Sequence, residues 1–121
     1  MTPATSPCVL IVEDNSSIRE LCSTLLREAG YRVETAVDGR DGFDRLGCAP
    51  DLILLDVMMP VMDGREFLGR LRGLADHRRT PVLVMTAGRD CTGLAGAQAV
   101  MKKPFESETL FRRVGELLAA G

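Results

Sequence analysis

Three stretches of this chain, Cys8–Val12, Leu52–Leu55 and Val82–Met85, are apolar at every position. A strand with one wet face alternates apolar and polar residues. Unbroken apolar runs of this length suit strands covered on both faces, as in parallel sheets held between helices. Two weaker runs, Arg32–Ala36 and Ala99–Met101, bring the set to five. Helix-period segments lie between them. Ile18, Leu21, Cys22, Leu25 and Ala29 repeat at helical spacing, Ser17 and Glu20 form a candidate capping box, and Gly30 stands at the expected end. Phe67, Leu68 and Leu71 form the inner stripe of a helix opening at Asp63-Gly64. Leu110, Val114, Leu117 and Leu118 do the same for one starting near Ser107. A helix over about 39–46 is weaker, because Gly42 inside it costs ~1 kcal/mol relative to alanine. Strands alternating with helices in this order predict a doubly wound α/β fold.

At 121 residues the chain suits one domain, able to bury a core without disulfides or metal. The expectation is a flexible tail over residues 1–7 and a single domain over 8–121. The formal net charge of −2 implies no global attraction to nucleic acid or an anionic membrane. The cluster His77-Arg78-Arg79, with Arg70 and Arg72 nearby, reads as a solvated turn, so direct nucleic-acid binding is not expected. Cys8, Cys22, Cys48 and Cys91 form no metal-ligand spacing with the lone His77. They read as reduced, mostly core-filling thiols of a cytoplasmic protein. No stretch has the apolar length of a membrane span, and the uncharged, Pro/Thr/Ser-rich residues 1–7 are not expected to act as a secretory signal.

Sheets of this kind bind ligands beyond the carboxyl ends of their strands. The first apolar run ends in Glu13-Asp14, the third in Asp56 and the fourth in Thr86, while the fifth runs into Lys102-Lys103-Pro104. The fold therefore gathers three carboxylates with a hydroxyl and an ammonium. Two unit charges ~4 Å apart repel by ~4 kcal/mol at an effective dielectric of 20. An all-oxygen cluster suits a hard cation, magnesium (Mg²⁺), which takes one or two carboxylates and keeps its waters. Asp56, fixed at the end of the most apolar run, is then free to act as a nucleophile toward phosphorus. Lys103 and Thr86 are placed to meet the phosphoryl oxygens, and Lys102 reads as a solvated neighbour.

Five motifs in order carry a resemblance. They are V-E-D at 12–14, D-V-M-M-P-V-M-D-G from Asp56 to Gly64, T-A at 86–87, G-A at 96–97 and K-P-F at 103–105. Together they resemble the receiver domain of two-component response regulators over about 8–118. The resemblance implies a five-stranded, flavodoxin-like sheet in the order 2-1-3-4-5. It implies Mg²⁺ bound by Asp14 and Asp56, by Glu13 through water, and by the backbone carbonyl of Met58. It implies Asp56 as phospho-acceptor, Thr86 turning toward the phosphoryl group, Lys103 pairing with it, and a cis Lys103–Pro104 bond. The implied partners are a histidine kinase or histidine phosphotransfer protein, and a downstream protein or fused output domain. Such a domain catalyses only its own phosphorylation and dephosphorylation. Two departures stand out. Val100 occupies the family's aromatic switch position, and the segment Gly88–Gly96 is short and carries Gly88 and Gly93, which predicts a shortened or irregular fourth helix.

Other chemistries fit less well. A flavodoxin-type electron carrier needs a Ser/Thr/Gly-rich phosphate loop where this chain has E-D-N-S-S. A haloacid dehalogenase-like phosphatase places its nucleophile in D-x-D after the first strand. An inert receiver-like adaptor would not need the acids, Thr86 and Lys103 together.

Overall fold

The apolar runs become a sheet whose two faces are filled by alternate residues of the same strands. A computed structural model describes residues 6–88 and 94–120. In chain order its main elements are β1 (Cys8–Val12), α1 (Ser16–Glu28), β2 (Arg32–Ala36), α2 (Gly39–Asp44), β3 (Leu52–Asp56), α3 (Gly64–Arg72), β4 (Val82–Thr86), β5 (Ala99–Lys102) and α4 (Ser107–Ala120). Short 3-10 turns at Leu46–Cys48 and Ala75–His77 lead toward β3 and β4. All pairings are parallel and the strand order is β2-β1-β3-β4-β5. This is the expected doubly wound, flavodoxin-like arrangement.

Every residue of β1, β3 and β4 is buried. Leu10, Val12, Ile53, Leu55, Val82 and Val84 face Phe67, Leu68 and Leu71 of α3. Val9, Ile11, Leu52, Leu54, Leu83 and Met85 face Cys22 and Leu26 of α1 and Leu110 and Val114 of α4. The two-residue period of the strands thus divides one apolar run between two cores. The edge strand β2 alternates exposed and half-buried residues over Arg32–Thr35 and ends in the buried Ala36.

Several local expectations need correction. The cap of α1 is Asn15, whose side chain accepts from the Ile18 amide, and not Ser17. Leu21 is 54% exposed, while Leu26 is fully buried in its stead. Gly42 does not merely weaken α2. A Cβ there would lie 2.8 Å from the Phe67 ring and 3.1 Å from Val12 Cγ2, so the glycine lets the helix sit close to the core. Gly39 likewise packs on Met62.

Cys8 and Cys22 are buried, Cys48 is half-buried, and all three are free thiols. Burial pushes the Cys22 thiol up to about 11, and burial with the neighbouring Cys8 pushes Cys48 to about 12. Cys91 and residues 1–5 of the expected tail lie outside the described residues. Ser6 and Pro7 belong to the body, their carbonyls accepting from Arg32. The expected fourth helix falls on 88–96, of which 89–93 lie outside the described residues. Ala87, Gly88 and 94–98 are not helical, and the described residues hold four α-helices. Among the described residues no helix is long and apolar enough to cross a membrane.

Candidate functional site

Parallel register brings the strand ends level. Val12 pairs with Leu55, Asp56 with Met85, and Thr86 with Lys102. Glu13, one residue past β1, donates its amide to Ala36 O of β2 and is fully buried. Asp56 closes β3 at 3% exposure, and Thr86 closes β4 at 3%. Lys103 follows β5, its amide donating to Thr86 O at 2.8 Å, and the Lys103–Pro104 peptide is cis.

The side chains converge as the sequence predicts. Carboxylate oxygens of Glu13, Asp14 and Asp56 lie within 4.8 Å of one another, and Asp14 is the exposed member. Lys103 Nζ donates to Glu13 Oε2 at 2.9 Å and to Asp56 Oδ1 at 3.0 Å. Glu13 Oε1 accepts the Asn15 amide at 3.1 Å. Both oxygens of this buried acid are therefore engaged. Even so, burial raises Glu13 to about 7, with the Asp56 charge acting the same way and the bonds from Lys103 and Asn15 opposing. Burial alone would lower the Lys103 ammonium; its bonds and charge pairing with Glu13 and Asp56 outweigh that, and it is raised. One ammonium thus holds two of three crowded acids. The Thr86 hydroxyl accepts the Gly88 amide at 3.0 Å.

The loop from Val57 to Asp63 is held tightly beside Asp56. Met62 N–H donates to Pro60 O at 2.7 Å across Val61, whose φ is +69°. That is the three-residue γ-turn with a positive central φ, a strained conformation for a β-branched residue. The Gly64 amide donates to Val57 O, and a Cβ on Gly64 would lie 2.5 Å from Asp56 O. Only glycine permits α3 to start so close to the Asp56 backbone. Met59 and Met62 pack into the core, whereas Met58 is 71% exposed at the rim.

The residue chemistry alone did not mark two residues beside the acids, Asn15 and Arg19, nor the role of Arg72 at the opposite end of the sheet. Asn15, a good cap residue in E-D-N, carries a recognisable signal. Arg19 does not, yet its Nη1 donates to Glu13 O at 2.9 Å and to Asp14 O at 3.3 Å. Arg72, expected to be solvated with its basic neighbours, instead donates to the carbonyls of Gly96, His77 and Thr80 and to Gln98 Oε1. His77 itself bonds Thr80 Oγ1 through Nδ1, away from the acids.

Residues 9–115 match the family model for the response regulator receiver domain. The chain belongs to that family. Among curated receiver-containing relatives, the response regulator MprA of Mycolicibacterium vanbaalenii is 42% identical over 117 residues, covering 91% of this chain and 49% of its own. The chain thus spans about half the length of the curated relatives it matches. Receiver domains also supply its structural neighbours. The chemotaxis response regulator CheY4 of Vibrio cholerae superposes with a TM-score of 0.86 at 38% identity, covering 93% of this chain and 99% of CheY4. The receiver domain of the sensor histidine kinase PA1611 from Pseudomonas aeruginosa superposes at 0.84 with 28% identity, covering 95% of this chain and 99% of its own. That domain has a magnesium ion coordinated in its active site cleft. The chain is a two-component receiver domain.

Proposed function

We propose that Asp56 is the phospho-acceptor of this receiver and that phosphoryl transfer onto it depends on Mg²⁺. The observation that carries this reading is the placement of a nearly buried Asp56 carboxylate 3.0 Å from Lys103 and within 4.8 Å of two further acids. A carboxylate oxygen of Asp56 attacks phosphorus while the P–N bond of a phosphohistidine breaks, and the departing imidazole retains the P–N electron pair. The product is an acyl phosphate, which water later hydrolyses. The domain modifies only itself.

The donor set fits the cation. Three carboxylate oxygens, with no nitrogen or sulfur donor joining them among the described residues, suit a hard ion. Asp14 and Asp56 would hold it directly, Glu13 through water, and Met58 through its backbone carbonyl. When bound, Mg²⁺ supplies charge neutralisation for the phosphoryl oxygens. Lys103 adds a second positive centre, and the Thr86 hydroxyl lies one strand away to donate to a phosphoryl oxygen. The magnesium-bearing PA1611 receiver supports the same reading. The phosphodonor would be a histidine kinase or histidine phosphotransfer protein. The readout would be a partner protein or a fused output domain.

Intact mass after incubation with acetyl phosphate tests the assignment. One phosphoryl group should appear with Mg²⁺ and not without it, and Asp56→Asn should abolish the gain. A phosphorylated Asp56→Asn protein would overturn the choice of residue.

A further inference from the structure

We propose that Arg19 is a positioning residue for the acidic turn, setting Glu13 and Asp14 for the cation without neutralising either; this rests on the metal-binding reading above. The three carboxylates repel one another, and the turn between β1 and α1 carries two of them. Lys103 restrains only Glu13 and Asp56. Asp14, the exposed acid, needs its restraint from the backbone. Arg19 supplies it from the first turn of α1, with Nη1 2.9 Å from Glu13 O and 3.3 Å from Asp14 O. The base of Arg19 is itself fixed, because its amide donates to Asn15 O and Asn15 caps the helix through Ile18. Asn15 closes the loop by donating its own amide to Glu13 Oε1. The helix start and the acidic turn therefore move as one body. Because Arg19 engages main-chain carbonyls, it occupies no carboxylate oxygen of Glu13 or Asp14. Groups that orient metal ligands from behind typically contribute about 10–100-fold to affinity.

Calorimetric titration of the intact chain with Mg²⁺ tests this, using Arg19→Met, which keeps the apolar stem and removes the donors. The dissociation constant should weaken about tenfold. Phosphoryl uptake at saturating Mg²⁺ should stay near wild type, and Arg19→Lys should recover part of the affinity. Unchanged Mg²⁺ affinity in Arg19→Met, whatever its melting temperature, would overturn the proposal, because a merely structural role lowers stability alone. So would equal loss in Arg19→Lys and Arg19→Met. Wild type and Asp14→Asn serve as controls. If wild type binds no Mg²⁺, or Asp14→Asn binds as wild type, the metal-site reading itself fails.

Discussion

Glu13 is the residue whose environment is most at odds with its charge. Burial holds its carboxyl near 7, above the ordinary value of 4.5. Between those values folded Glu13 retains a proton that the unfolded chain has released. Stability must therefore fall as pH rises through this window, by at most about 1.4 kcal/mol per pH unit. Lys103 has the same sense but a different window: its raised value stabilises the fold below 10.5 and that stabilisation is lost only above it, so Lys103 does not contribute to the decline between 4.5 and 7. Urea melts of metal-free protein at about pH 5 and about pH 7, near the two ends of this window, should show the decline, and Glu13→Gln should flatten it. Saturating Mg²⁺ should also shrink it, by favouring the ionised acid. A metal-free protein that gains stability over the same interval would show that Glu13 is ionised throughout.

At the scale of elements, glycine has opposite meanings in two neighbouring helices. Gly42 of α2 has no room for a methyl group beside Phe67 and Val12, whereas Gly69 of α3 meets nothing within 4 Å. Helix propensity favours alanine at both positions by ~1 kcal/mol. Gly69→Ala should realise that gain in a denaturant melt. Gly42→Ala should lose stability instead, since overpacking costs roughly 1–3 kcal/mol. The contrast also explains which features were legible in the sequence. Strands buried on both faces, and acids and a lysine at their ends, declare themselves because burial and side-chain chemistry act on the residue itself. Asp63 as the α3 cap was legible for the same reason. Gly42, Arg19 and Arg72 were not, because their roles lie in what they touch: a ring 25 positions on, or backbone carbonyls that any residue could provide. Leu21 misled because a single extra apolar residue on a short amphipathic helix fits the same period as the true stripe.

For the molecule as a whole, the face beside β5 lacks the family's usual moving part. Val100 is half-buried against the α3-side core and has no ring to swing between two rotamers. Beryllofluoride with Mg²⁺, a phosphoryl mimic, should therefore leave the mass measured by light scattering unchanged. A monomer-to-dimer shift through that face would contradict this. The Lys103 ammonium has another consequence, for the order in which the protein comes into being. Its two bonds close chain separations of 90 and 47 residues, tying the first strand and the middle strand to the last. Contacts so distant in sequence form late, since their loop-closure entropy must be met before they contribute. A chain still emerging during synthesis, or one whose last strand has come undone, possesses the acids but not the cation that organises them. Under the proposed function, competence to carry the signal would double as a certificate of completed folding: a truncated or half-built copy would hold its acids at that end without the ammonium that pairs with them.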